Sequence, residues 1–258
     1  AEAGSRSVEL IVEIPQTDVK VKLTIIQSKY YKVGDLYVVN GEPLGLVYEI
    51  SDGGAHGKVV ALKAHRDLNL WYRTGLPYDE IHPEDPNNVG VIARSETDGQ
   101  ENMKAYKQIP DWKTHYPVAA YVSDLNDENG NPGWYLPAIK EVQAMVGWID
   151  GEVLSPDGEA GQEPSEAMKE KRKAINQLIV DNGGNEFYFY GYDVSFIIDQ
   201  TNAWEADYFN RIYTSTETDY QVHPMVFKFY LRNGWWETMH VYGDLAGSYG
   251  EVRPFLAF

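Results

Sequence analysis

The order of predicted elements indicates an α+β fold, and three observations predict it. Alternating apolar and polar residues dominate the first quarter of the 258 residues, three helical patterns follow between residues 117 and 181, and strand patterns return from residue 225 onward. A chain that places strands, then helices, then strands is typical of α+β folds. The pattern differs from the alternation of strand and helix in βαβ folds.

The first strands are predicted from alternation and from turn residues. Residues 8–14 and 19–25 alternate on either side of Pro15-Gln16-Thr17-Asp18, which is typical of a β-hairpin. Further strands are predicted at residues 36–39, 45–50 and 58–63, with glycine-containing turns at residues 40–41 and 52–54 between them. Residues 73–100 are rich in Gly, Pro, Asp and Asn, so we expect a long surface loop there.

Three helices are predicted from apolar spacing and from their end residues. The first starts at Pro117 and has an apolar face formed by Val118, Tyr121, Val122 and Leu125. The second starts at Pro137, ends at a Gly147 cap, and has an apolar stripe of Ile139, Val142, Met145 and Val146. The third spans residues 165–181 before Gly183-Gly184, with residues 169–173 outside and Met168, Ile175, Leu178 and Ile179 inside. Residues 151–164 are predicted to form an exposed loop.

The C-terminal part is predicted to return to strands. Residues 225–231 and 235–241 flank Asn233-Gly234, and this dipeptide between two apolar runs is a strong hairpin signal. A last strand is predicted at residues 252–258. Pro254 favours an edge or a strand end there, because proline cannot donate to a ladder.

The composition narrows the possible partners. The chain has 22 Lys and Arg against 39 Asp and Glu, which gives a net charge of −17. Because this charge repels phosphate groups and anionic lipids, we expect no nucleic-acid partner and no electrostatic docking to membranes. The absence of cysteine excludes disulfides, thiol nucleophiles and cysteine-ligated metals. The sequence has no run of about 18 apolar residues, and residues 1–7 lack the features of a signal peptide.

Motifs for metals, cofactors and nucleophilic catalysis are missing. The six histidines show no HExxH pattern. Residues 124–130 resemble a calcium loop, but Asn129 stands where glycine is required and Tyr135 where the bidentate glutamate is required. We therefore expect no metal and no cofactor. The acid pairs Asp79/Glu80 and Glu205/Asp207 leave a carboxylate-dependent hydrolase open, because that chemistry needs two acids.

Five short motifs occur in a fixed order along the chain. They are YYKVGD at 30–35, GKVVAL at 57–62, GWYLPAIKEV at 133–142, YTSTE at 213–217 and VRPF at 252–255. The set resembles the bacterial major paralogous domain family, which is similar to the Lcl C-terminal domain and common in surface lipoproteins. The resemblance implies a C-type-lectin-like domain at residues 28–258, preceded by an N-terminal β-hairpin segment at residues 1–27.

The resemblance also implies structural roles for motif residues. Trp134 and Leu136 are expected beside the sheet and Pro137 at a helix start. Glu217 is expected to be a buried acid that needs a partner, and Arg253 is the candidate.

The sequence departs from the family at two places, and it also lacks the full calcium motif of sugar-binding C-type lectins. Tyr213 and Thr214 stand where members carry Trp and Ser, and residues 187–210 resemble an insertion. Residues 163–165 (EPS) match only part of the EPN tripeptide of calcium-dependent lectins, and no WND motif follows. The ligand region is therefore expected to be reshaped.

The resemblance and the polar aromatics lead to an expected function. We expect a non-catalytic, adhesin-like bacterial protein that is extracellular, either secreted or on the outer-membrane surface, and that recognises its partner through a loop-rich face. Its only expected link to a membrane is a lipid anchor that has been removed from this sequence. Its partner is expected to be a glycan or a host or microbial surface protein. The candidate ligand-binding residues are Trp235, Trp236, Tyr242 and Tyr249, because neighbouring strand residues face opposite ways and exposed aromatics contact ligands. Two alternatives stay open: a structural subunit of a surface appendage that exchanges its N-terminal hairpin, and a glycan hydrolase.

Overall fold

The computed structural model describes ten stretches of the chain. They are residues 6–13, 20–27, 30–65, 93–128, 133–150, 165–187, 211–217, 224–229, 236–240 and 251–258. In these stretches the strands are β1 (Arg6–Glu13), β2 (Lys20–Gln27), β3 (Leu36–Val39), β4 (Glu42–Ser51), β5 (His56–Ala61), β6 (Arg211–Glu217), β7 (Pro224–Phe229), β8 (Trp236–His240) and β9 (Phe255–Ala257). The helices are α1 (Gly99–Tyr106), α2 (Trp112–His115), α3 (Pro117–Glu128), α4 (Ile139–Asp150) and α5 (Glu166–Asp181). The strand, helix, strand order confirms the α+β class.

The first two strands form the predicted hairpin. β1 and β2 pair antiparallel over their full length, from Arg6 opposite Gln27 to Glu13 opposite Lys20. Lys22 Nζ lies 2.6 Å from Glu9 Oε1 across the pair, and both side chains are exposed. Among the described strands, β1 and β2 pair with each other and not with either of the other sheets.

The main sheet is antiparallel, with the strand order β3-β4-β5-β9. Four consecutive residues are buried in β4 and three in β5, so both faces of these central strands are covered; they are Gly45, Leu46, Val47, Tyr48, Val59, Val60 and Ala61. The predicted edge position is confirmed, because β9 is the last strand of the sheet and Pro254 immediately precedes it.

A second antiparallel sheet has the order β6-β7-β8. β7 and β8 pair from Met225 opposite His240 to Phe229 opposite Trp236, which confirms the predicted C-terminal hairpin. Its Asn233-Gly234 turn lies outside the described residues, as do the predicted loop at 151–164 and nearly all of the insertion at 187–210.

Two helices were not predicted from the sequence. α1 begins at Gly99, inside the segment predicted as a long surface loop, and α2 follows it; residues 73–92 of that segment lie outside the described residues. Asp98 caps α1 by accepting a hydrogen bond from Glu101 N at 3.0 Å. Met103 and Tyr106 of this helix are buried in the core.

The three predicted helices are present, with corrected ends. α3 begins at Pro117 as predicted and continues through Glu128, so residues 124–128 are helical and are not part of a calcium loop. α4 begins at Ile139 rather than Pro137, and the prediction of Gly147 as its cap is wrong because the helix continues past it to Asp150.

The third predicted helix matches α5 closely. Ser165 is its cap and accepts a hydrogen bond from Met168 N at 3.3 Å. Gly183 has φ +75° and Gly184 N donates to Ile179 O, so these two glycines end the helix as predicted. The prediction that residues 169–173 all face outward is wrong for Arg172, which is buried.

Candidate functional site

Glu141 connects three elements through its buried carboxylate. Its side chain is 3% exposed. Oε2 accepts hydrogen bonds from the backbone N–H groups of Gly99 at 3.0 Å and Ala138 at 2.9 Å. Oε1 accepts one from the Tyr135 hydroxyl at 2.8 Å and lies 2.9 Å from Lys58 Nζ. Both oxygens are thus engaged in holding α1, α4 and β5 together.

Two tyrosines near this carboxylate are kept in the protonated form. Burial raises the pKa of Tyr135, and the negative charge of Glu141 together with its hydrogen bond raises it further. Burial also raises the pKa of Tyr48, with smaller contributions from Tyr135 and Glu141. Within the described residues the Tyr48 hydroxyl has no hydrogen-bond partner.

The YTSTE motif holds the start of α4. Thr216 Oγ1 accepts a hydrogen bond from Ile139 N at 3.0 Å and donates one to Ser95 O at 2.9 Å. Ser215 N donates to Pro137 O at 2.7 Å. The Thr216 hydroxyl and the Ser215 backbone N–H thus satisfy polar groups at a helix start, which gives the motif a structural role.

Arg253 has a different carboxylate partner from the one expected. Its Nε donates to Glu251 Oε1, and its Cζ lies 4.0 Å from the centre of the Phe187 ring. The other four N–H groups donate to the backbone carbonyls of Ala61, Leu62, Asn185 and Glu186. All five donors are therefore used without Glu217, which is buried and accepts a hydrogen bond from Ala93 N at 3.1 Å.

A groove of about 500 Å³ lies beside the main sheet. Its walls come from the β3–β4 turn, the end of β5, α3 and single residues of three later segments. The lining residues are Val39, Asn40, Glu42, Pro43, Leu44, Ala61, Leu62, Lys63, Tyr121, Leu125, Trp134, Asn182 and Pro254. Apolar side chains thus alternate with amides and charged groups around one concave surface.

Two aromatic residues line the groove, and neighbouring residues hold the ring of one and the backbone of the other. Tyr121, which is partly exposed, stacks on His65 with ring centres 4.5 Å apart and an angle of 25°. The backbone of Trp134 is held by Asn126, whose Oδ1 accepts from Trp134 N and whose Nδ2 donates to Trp134 O, both at 2.7 Å. The aromatic wall is therefore preformed.

The charged groups of the groove are few and opposite in sign. Glu42 and Lys63 are both exposed and bring one negative and one positive charge. No group of three or more His, Asp or Glu residues that could hold a metal ion is found in the part of the chain that the structure describes. The groove is suited to binding a molecule with both apolar surface and hydroxyl or amide groups.

Of the four ligand-binding residues predicted from the sequence, the structure describes the backbone of one, Trp236. Trp235, Tyr242 and Tyr249 lie outside the described residues. Trp236 is the first residue of β8 and pairs with Phe229. Sequence reasoning missed the groove because its lining comes from segments far apart in the chain, although Tyr121 was placed correctly on one face of a helix with Val118 and Val122.

Comparison with known proteins gives no relative of this chain. No protein-family model matches it, and no curated protein or solved structure does. Among the helices that the structure describes, none combines the length and apolar character needed to cross a bilayer. The geometry of the groove is therefore the observation on which a function rests.

Proposed function

We propose that this chain is a non-catalytic, adhesin-like module that binds a glycan or a surface protein outside the bacterial cell. The groove carries the proposal, because it is concave, has a preformed aromatic wall and lies within the usual size range of ligand sites, about 300–1,000 Å³. Preformed walls favour binding since little side-chain freedom is lost when a ligand enters.

The sheet topology supports a C-type-lectin-like domain at residues 28–258. β9 pairs with β5, so the two ends of this segment meet in one sheet. The helices and the separate β6-β7-β8 sheet lie between them in sequence. The five motifs fit a structural framework, because each of them supplies a buried residue: Tyr31, Leu62, Leu136, Thr216 and Phe255.

The use of the buried acids supports binding over glycan hydrolysis. A glycosidase needs two carboxyl groups about 5–10 Å apart that face the substrate. Among the described residues that line the groove, Glu42 alone carries a carboxylate. The buried carboxylates of Glu141 and Glu251 hold backbone amides, a lysine and an arginine. The acid pairs named from the sequence, 79–80 and 205–207, lie outside the described residues.

The N-terminal hairpin favours a second candidate function, that of a structural subunit of a surface appendage. In the described part of the chain, β1 and β2 form a sheet of their own. A two-stranded sheet with open edges is a suitable element for strand addition between subunits. Removing residues 1–27 is expected to abolish assembly in that case, and unchanged assembly would contradict it.

The test of the binding proposal uses the purified chain on immobilised glycans and matrix proteins, with and without EDTA. Three forms are compared: the unchanged chain, the double variant Trp235→Ala/Trp236→Ala, and Tyr121→Ala in the groove. Specific binding that either variant loses supports the proposal and locates the surface used. A blank across the whole panel contradicts it.

A further inference from the structure

We infer that the groove binds a short segment of a partner protein in which one basic and one acidic residue flank apolar residues. The inference rests on the proposed function and narrows its glycan or surface protein to one class of peptide. Three features of the groove carry it: two unpaired charges of opposite sign, apolar surface beside them, and backbone groups that are open to a ligand.

Glu42 and Lys63 bring opposite charges to the groove without forming a pair. Both are exposed, and within the described residues neither side chain forms a hydrogen bond or a salt bridge. Leu62 N donates to Leu44 O at 3.0 Å, so these two residues lie opposite each other on neighbouring strands. Lys63, the next residue, is therefore opposite Pro43 and not opposite Glu42. Because successive positions of an extended chain face opposite ways, this offset explains why the two charges do not pair.

These two charges favour a ligand that carries one charge of each sign. Hydrogen bonds between ionised groups are about twice as strong as those between neutral groups. A purely anionic or purely cationic ligand would be attracted by one of the two residues and repelled by the other, and the net charge of −17 repels anions further. An uncharged ligand would remove water from Glu42 and Lys63 without supplying an ionic partner, which is unfavourable.

Apolar surface accompanies the two charges in the same groove. Val39, Pro43 and Leu44 line it and are half-buried, so part of each side chain is open to solvent. Covering this surface with an apolar residue of a ligand is favourable. The ligand is therefore expected to carry apolar residues next to its charged ones.

Polar groups of the groove residues favour a peptide over a small dipolar molecule. In the part of the chain that the structure describes, the backbone N–H and C=O of Lys63 have no hydrogen-bond partner. Asn182 Nδ2 donates to Leu178 O at 2.8 Å, which leaves its Oδ1 as an acceptor. A peptide supplies a donor and an acceptor with each residue, so its backbone can pair with these groups while its side chains reach the two charges.

The experiment measures the binding of synthetic peptides to the full chain by fluorescence polarisation. The peptides have blocked ends and carry lysine and glutamate in both orders, separated by one, two or three leucines. In the matched peptides both charged positions are lysine, both are glutamate or both are glutamine. Maltotetraose and free leucine are tested as competitors and, by calorimetry, as ligands.

Three variants of the chain are compared with the unchanged form: Glu42→Gln, Lys63→Gln and the double charge reversal Glu42→Lys/Lys63→Glu. Glu49→Gln and Lys104→Gln are the matched controls, because both residues are exposed and lie outside the groove. A melting curve of each variant checks that it is folded.

The expected result is binding of peptides with one charge of each sign, with a preference for one order because backbone contacts fix the direction of the peptide. Binding should weaken about three- to tenfold in Glu42→Gln and in Lys63→Gln, and not in the two controls. The double reversal should bind the opposite order better, because the two charges have exchanged places. Equal binding of the dilysine or diglutamate peptides, or an unchanged order preference in the double reversal, overturns the inference.

Further outcomes separate this inference from the proposed function. Peptide binding that persists in both Glu42→Gln and Lys63→Gln overturns the groove assignment but retains a binding module. Binding of maltotetraose or free leucine without binding of any peptide overturns the ligand class. A blank with every probe overturns the inference, while the panel of glycans and matrix proteins decides the proposed function separately.

Discussion

Arg253 illustrates how this chain accommodates a full charge in its interior. The guanidinium is 0% exposed, and each of its N–H groups has an acceptor. Glu251 was not predicted as its partner, although the signal exists: residues two apart in an extended strand face the same side. The partner expected from the resemblance, Glu217, is distant from Arg253 in sequence. The nearer acid is the one that neutralises the arginine.

Replacing Arg253 by lysine is expected to lower the free energy of unfolding by about 3–5 kcal/mol. Lysine keeps the charge but has three donors, so buried carbonyl groups and part of the Glu251 carboxylate lose their partners. Urea unfolding measures the change. The exposed Lys173→Ala variant is the control and should stay within about 0.5 kcal/mol. A loss below 1 kcal/mol for Arg253→Lys would contradict the role assigned to it.

Replacement by phenylalanine is expected to have opposite effects on stability at the two buried tyrosines near Glu141. Tyr135→Phe removes a hydrogen bond to a carboxylate and is expected to cost about 1.5–3 kcal/mol. Tyr48→Phe removes a hydroxyl without a hydrogen-bond partner in the described residues, so stability should stay the same or rise. Denaturant unfolding of both variants makes the comparison. Equal losses would show that the Tyr48 hydroxyl does have a partner.

The same tyrosines predict a loss of stability at alkaline pH. Their pKa is raised above the ordinary 10.0 in the folded chain, so the folded state keeps a proton that the unfolded state releases. Their contribution is complete below pH 10.0 and declines as the pH rises above it, because unfolding then releases protons. Urea unfolding between pH 8 and 11 should show this decline, with a smaller slope for Tyr48→Phe. A flat profile would contradict it.

At the scale of elements, the end of α5 separates two uses of glycine. Gly184 N donates to Ile179 O and Gly183 N donates to Val180 O, the pair of hydrogen bonds that closes a helix with a left-handed residue. Gly183 is needed for its φ of +75° and has open space around it. Gly184 is needed for space, because an added Cβ would lie 2.5 Å from Leu62 O.

Asparagine substitutions are expected to distinguish these two glycines. Gly183→Ala should cost about 1–2 kcal/mol, and Gly183→Asn should recover most of it, because Asn tolerates the left-handed region. Gly184→Ala and Gly184→Asn should both destabilise, since neither fits beside Leu62. Thermal unfolding of the four variants tests the contrast. Recovery by Asn at position 184 would contradict the steric argument.

Local sequence rules predicted a helix end correctly where the end residues themselves determine it, and they failed where tertiary packing determines it. α5 begins directly after Ser165 and ends before Gly183, as predicted, because both residues act locally. Gly147 lies inside α4, since burial of Ile149 in the following turn outweighs the cost of about 1 kcal/mol for a helical glycine. α1 escaped prediction because its first residues are polar and its stability depends on a distant acid, Glu141.

At the scale of the whole molecule, the order of strands and helices was predictable but the groove was not. Alternation and turn residues act over a few positions, and they located both hairpins. The groove unites residues as distant as Val39 and Pro254, which meet only after the main sheet has formed. A short sequence pattern does not show that such distant residues lie together in the folded chain. The set of residues that line the groove was therefore not predictable from the sequence.

Deleting residues 1–27 is expected to leave the rest of the chain folded, with a change in Tm below about 3 °C. β1 and β2 pair with each other, and the main sheet of the described chain is complete without them. Scanning calorimetry of the shortened and full chains measures the difference. A large fall in Tm would show that the hairpin packs on the domain.

Because β9 comes late in the chain, β5 lacks this neighbouring strand during much of protein synthesis. His56 and Phe258 are in contact although 202 positions separate them along the chain. A growing chain on the ribosome therefore carries β5 with an open edge until residues 251–258 have emerged, at about 5–20 residues per second. During that interval of some ten seconds or more, the exposed edge is a target for chaperones and for pairing with neighbouring nascent chains.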